Sequence, residues 1–159
     1  FICQPSAFMS AELVAALGGA DISLQFVMDY DLWIRAAGLC AFRHLPEPLS
    51  CFRLHGSSKT LSAAQAYENS RECLAVVMKY YGWAPANRVY AQVYHAMMKR
   101  LPGRMARFGH LLIPAALFLS VLKYLLLNRR IVLLDLQMLQ PGNIRKLFRT
   151  GSVYLNRDA

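Results

Sequence analysis

Two carboxylates lie two positions apart in the segment VMDYDLWIR, residues 27–35: Asp29 and Asp31, with Tyr30 between them. Three kinds of chemistry suit such a pair. An aspartate at a helix start caps it, because its oxygen accepts from first-turn amides and the helix N-terminus favours negative charge. An Asp-x-Asp pair presents hard oxygens to Mg²⁺ or Mn²⁺ beside a diphosphate. A single ionised carboxylate, with a reference pKa of about 3.9, is a general base for a hydroxyl proton. Capping and base catalysis are compatible, since a carboxylate at a helix start is held in place and kept charged. Asp-x-Asp metal sites usually sit where a buried strand ends in a loop. Here the preceding ADISLQFVM is polar at every second residue and a helix follows at once. Spacing alone does not choose among the three. The cysteines, Cys3, Cys40, Cys51 and Cys73, show no Cys-x-x-Cys spacing and no histidine cluster. They read as free thiols of a reducing compartment rather than as zinc ligands.

The elements that must position these residues follow from periodicity and punctuation. FICQPSAF reads as a strand end running into a Pro-Ser turn. Ser10 caps a short helix, SAELVAAL, with Glu12 in its first turn, and Gly18-Gly19 ends it. ADISLQFVM is an irregular or extended link. A second helix fits residues 29–37, closed by Gly38. Two short extended pieces follow, CAFRHL and LSCFRLH, separated by PEP, whose prolines exclude central-strand pairing there. Ser62 with Gln65 forms a capping-box pattern that opens a helix reaching about Tyr81, apolar at Leu74, Val77, Met78 and Tyr81. Gly82 and Pro85 break it. Another helix fits residues 86–101, with Val89, Val93 and Met97 on one stripe. After Pro102-Gly103 a helical run of basic and apolar residues extends from 104 to about 139, where Pro141-Gly142 ends it.

Charge divides the chain. Residues 1–72 hold seven acids and five Lys/Arg, a balance of −2, while residues 73–159 hold two acids and thirteen Lys/Arg, a balance of +11. No acid occurs between 73 and 134. A basic, apolar back half suits an anionic partner such as a membrane surface, nucleic acid or phosphorylated substrate. At 56% hydrophobic residues the chain is too apolar for a disordered segment.

The order QPSAF, a short helix, LGGAD, MDYDLWIRAA, then FRHLPEPLSCFRLHGSSKT resembles the second half of the catalytic domain of family 2 glycosyltransferases. The likeness covers residues 1 to about 60. It implies an α/β fold: the C-terminal portion of a GT-A, nucleotide-diphospho-sugar transferase domain over residues 1–61, followed by an α-helical, basic and apolar tail over 62–159. It also implies an inverting, hexosyltransferase-type enzyme that moves a sugar from a nucleotide-sugar donor to a saccharide or lipid-linked acceptor, in surface polysaccharide or glycolipid synthesis. Asp29 matches the family's base. Many members have Glu just before it, where this chain has Met28. Asp31, Trp33 and Arg35 match the rest of that motif, and Asp31 and Trp33 would shape the acceptor side. Their plainer roles are a first-turn acid and a core aromatic. His55 matches a histidine that binds a divalent metal, and imidazole suits Mn²⁺ better than Mg²⁺. Arg53 would face the same diphosphate, a surface ion pair being its plainer role. The chemistry is coherent: a carboxylate takes the acceptor proton while a metal neutralises the leaving diphosphate.

The family's nucleotide-binding half, with its own Asp-x-Asp, has no counterpart before Phe1. The chain is therefore expected to be the C-terminal part of a longer enzyme and to be inactive alone. In the tail, residues 111–127 form an apolar run broken only by Ser120 and Lys123. A spanning helix wants about 20 apolar residues, and a lysine near its middle costs about 2.5–3.5 kcal/mol. Arg104 and Arg107 precede the run, and Arg129 and Arg130 follow it. A helix lying in the membrane interface keeps both clusters with anionic headgroups. The expected location is cytoplasmic, peripheral at the inner face of the cell membrane. A non-catalytic basic helical module binding membrane or nucleic acid is the other class. No aromatic-basic platform or helix-turn-helix pattern stands out, so no nucleic-acid partner is expected.

Overall fold

The computed structural model describes residues 2, 4–51, 65–132, 135 and 142–145, the side chains of 103–107 excepted. The chain divides into two compact units, Phe1–Gln65 and Ala66–Ala159.

In the first unit the Pro-Ser turn is a 3₁₀ turn, Gln4–Ser6, and the Ser6 and Ser50 hydroxyls are hydrogen-bonded to each other. Helix α1, Ala11–Ala16, begins as its sequence directs. The Ser10 hydroxyl accepts from the Leu13 amide at 3.2 Å, which satisfies one of the donors a helix start leaves open. It stops at Gly18 and Gly19, whose φ values of +70° and +76° lie where a Cβ would be strained. The Gly19 amide donates back to the Val14 carbonyl at 3.1 Å. Helix α2, Met28–Ala37, starts one residue earlier than expected. Its N-cap is Val27, which has no side-chain group to offer, so Asp29 lies inside the first turn and is not the cap.

The expected α/β GT-A architecture is overturned: the described residues are helical and contain no strand. Of the strand end expected at FIC, Phe1 and Cys3 lie outside the described residues, and residues 39–51 run without regular structure. Extended pieces become strands only when another backbone pairs with theirs. Pro46 and Pro48 each lack the amide that such pairing needs. The second expected piece continues into residues outside those described.

Among its described residues the second unit has three long helices, α3, Ala66–Tyr81; α4, Ala86–Arg100; and α5, Ile113–Leu127, the last preceded by a 3₁₀ segment, Gly103–Leu112, with a further helical turn at 142–145. The centre is α4, which packs against both α3 and α5. Its stripe is the expected one, with Val89, Tyr90 and Val93 buried and Met97 packed beside them. Leu74 of α3, Ala84 of the connecting loop, and Ile113, Ala116 and Tyr124 of α5 complete the core. Gly109 passes so close to Met98 that a Cβ there would sit 2.6 Å from its sulfur. The long helix expected to reach residue 139 is cut short at Asn128. That side chain turns back to the α3–α4 loop, accepting from the Ala84 amide at 2.7 Å and donating to the Ala84 carbonyl at 3.0 Å. The backbone around Ala84, fully buried, thereby has its polar groups matched. Asp135 is used in the same way: one oxygen accepts from the Ala86 amide at 3.1 Å, the other from the Tyr124 hydroxyl at 2.7 Å.

Candidate functional site

Helix α2 carries two pairs at i,i+4 spacing, Asp29 with Trp33 and Asp31 with Arg35. Residues four apart share a helix face, and residues two apart lie on nearly opposite faces. The helix therefore separates its two aspartates.

Asp31 is fully buried. Its carboxylate accepts from Arg35 Nε at 2.8 Å and lies 2.8 Å from Nη2. The same guanidinium donates to the Leu17 carbonyl at 2.5 Å and the Gly19 carbonyl at 2.9 Å. These carbonyls follow α1, where its last turn leaves acceptors without amides. Arg35 thus fastens α2 to the glycine turn that ends α1. A planar fork of donors can do this and an ammonium group cannot. This clamp was not foreseen, though the i,i+4 Asp-Arg spacing and the adjacent Gly-Gly were its signal.

Asp29, on the other face, is half-buried. Its Oδ1 accepts from the Tyr30 amide at 2.8 Å, one of the first-turn donors with no partner in the helix. Among the described residues no donor reaches Oδ2. Trp33, one turn on, packs edge-to-face on Phe42, with ring centroids 6.3 Å apart. Its indole Nε1 is buried with no acceptor among the described residues.

Arg53 and His55 lie outside the described residues. Among those described, no three His, Cys, Asp or Glu side chains come together as a metal site would require. Asp29 and Asp31 do not form one jointly, because Asp31 is committed to Arg35. The arrangement therefore presents one carboxylate, pinned by one oxygen and open at the other, beside an indole donor.

No family model matches the chain, and no curated protein and no solved structure matches it either.

Proposed function

We propose that this chain belongs to an inverting glycosyltransferase that moves a sugar from a nucleotide-diphosphate donor to an acceptor hydroxyl, with Asp29 as the base. The observation that carries the reading is the division of labour on α2. Arg35 consumes Asp31 in holding the helix, while Asp29 keeps Oδ2 open on the opposite face. The motif order in residues 1–60 supports the same reading. A sugar hydroxyl is a poor nucleophile, so its proton must leave as its oxygen bonds to the anomeric carbon. Asp29 Oδ2 accepts that proton. The bond from the anomeric carbon to the diphosphate breaks on the opposite side, and the configuration inverts. Trp33 Nε1 would donate to an acceptor oxygen and orient it.

The test is transfer from a panel of UDP- and GDP-sugars by the natural full-length polypeptide. Asp29→Asn keeps size and the Tyr30 contact but loses the proton acceptor. Turnover should fall by about a hundredfold or more, with unchanged melting temperature. Wild-type turnover in that variant would overturn the assignment. A second reading, a non-catalytic basic helical module, draws support from the helices that make up the described part of the second unit. A full-length chain that binds anionic vesicles and transfers no sugar from the panel would select it.

A further inference from the structure

Helix α5 is apolar on both of its faces, and only one of them is covered. The covered stripe is Ile113, Ala116, Ser120 and Tyr124, buried against the rest of the second unit. Its polar members are accounted for: the Ser120 hydroxyl donates to the Ala116 carbonyl, and Tyr124 is bonded to Asp135. Lys123, which looks in the sequence like a charge stranded in an apolar run, is half-buried, and its ammonium donates to Gln92 of α4. The opposite stripe is Phe118, Leu119, Leu122, Leu125 and Leu126, with Leu126 87% exposed. A contiguous apolar face of this kind marks an interaction surface.

We propose that this outer face of α5 lies in the headgroup–acyl boundary of an anionic lipid bilayer, with the helix axis in the membrane plane. The inference does not depend on the transferase reading. Charge supplies the argument for lipid. The helix runs directly into Arg129 and Arg130, both exposed. No acid occurs from 73 to 134, so no carboxylate along α4, α5 or their connection opposes an anionic surface. The first acid after the helix, Asp135, has both oxygens engaged within the unit. An apolar helix face beside arginines, with no acid near it, suits an interfacial helix.

By length and composition the run Phe108–Leu127 could cross a bilayer. The packing argues against a crossing. The inner face of α5 is docked on α4, which carries Arg88, Gln92, Lys99 and Arg100. A crossing α5 would draw that helix into hydrocarbon or strip it away, leaving the Lys123 ammonium without its Gln92 partner.

The experiment is co-sedimentation of the natural full-length polypeptide with vesicles of phosphatidylcholine alone and of phosphatidylcholine mixed with phosphatidylserine. Binding should require phosphatidylserine, weaken in high salt and be released by alkaline carbonate. Leu122→Asp with Leu126→Asp should abolish it while circular dichroism stays unchanged, since both side chains are exposed. Arg129→Gln with Arg130→Gln should weaken it about thirtyfold, at about fivefold per arginine. Equal, carbonate-resistant binding to both vesicles would overturn the proposal in favour of a crossing helix. Absence of vesicle binding would overturn it too, and a concentration-dependent dimer abolished by the Leu122/Leu126 pair would then identify a second copy as the cover.

Discussion

Residues 11–37 and residues 66–128 are held together by different forces. In the first stretch α1 buries no side chain, and α2 buries only Asp31 and Ala36. What fixes the two helices is one guanidinium shared among a carboxylate and two carbonyls. Large apolar residues of this stretch stay outside, Ile22 at 95% exposed. In the second stretch three helices interlock around Leu74, Val89, Tyr90 and Ile113, and polar contacts only finish the edges. A polar clamp sets position and angle sharply but offers little area from which to draw stability. An apolar core does the reverse. The candidate base sits in the clamped region, where one helix must present Asp29 and hide Asp31.

The comparison is broken most directly at Arg35. Arg35→Met takes the guanidinium away from the buried Asp31 carboxylate, and frees the Leu17 and Gly19 carbonyls. Loss of one member of a buried pair costs about 3–5 kcal/mol; with Arg35 itself 21% exposed, the lower end is expected. Hydrogen exchange at the α1 and α2 amides should accelerate accordingly. Arg35→Met combined with Asp31→Leu should recover much of the loss, because no unpaired charge remains. Unchanged exchange in the single variant would show that the clamp is not what holds α2.

The corresponding test of the second unit is Ile113→Ala. Ile113 is fully exposed to other side chains and not at all to water. Removing it leaves a cavity beside Val89 and Ala116, at about 2–4 kcal/mol. Urea unfolding followed by the helical signal should show it. A change below about 1 kcal/mol would mean that α5 is held by its polar contacts with Asn128 and Asp135 rather than by packing.

Local signals in the sequence carried over where the deciding atoms are local. The Ser10 hydroxyl reaches an amide three residues away, and Gly18-Gly19 supplies its own conformation. The Val89, Val93 and Met97 stripe is a repeat within one helix. Expectations failed where the deciding partner is distant. Nothing around Asn128 says that Ala84, 44 positions earlier, will end the helix there. The pieces after Gly38 read as extended, but strand formation needs a second backbone, and residues 39–51 have none paired with them among the described residues. The two aspartates were legible as a pair. Which of them is spent on structure was not, because that depends on where Arg35 finds the carbonyls of another helix.

Asn128 gives the next smaller effect. Asn128→Ala leaves the Ala84 amide and carbonyl without partners in a buried place, at about 1–3 kcal/mol. Asn128→Asp keeps the acceptor for the amide and loses the donor, so it should fall between wild type and alanine. If all three proteins melt together, the α3–α4 loop is not anchored there, and the second unit rests on its apolar core alone.

The smallest effect concerns a histidine on α4, beside that core. His95 on α4 stacks obliquely on Tyr94, its Nδ1 buried with no partner, and the Ala66 carbonyl accepts from its other side. Burial pushes its pKa below the ordinary 6.5, and the Ala66 bond opposes that shift without cancelling it. The unfolded chain therefore takes up this proton at a higher pH than the folded one. Between those two values the unfolded state binds more protons, so stability falls as pH drops. The contribution is complete above about pH 6.5, is lost progressively below it, and levels off once the folded ring is also protonated. Melting temperatures taken from neutral pH downward should show the decline in wild type and a flatter profile in His95→Gln, whose amide stays neutral throughout. Parallel profiles would assign the decline to carboxylates such as Glu68, whose pKa the hydrogen bond from Lys99 lowers, and would leave the apolar unit indifferent to its buried imidazole.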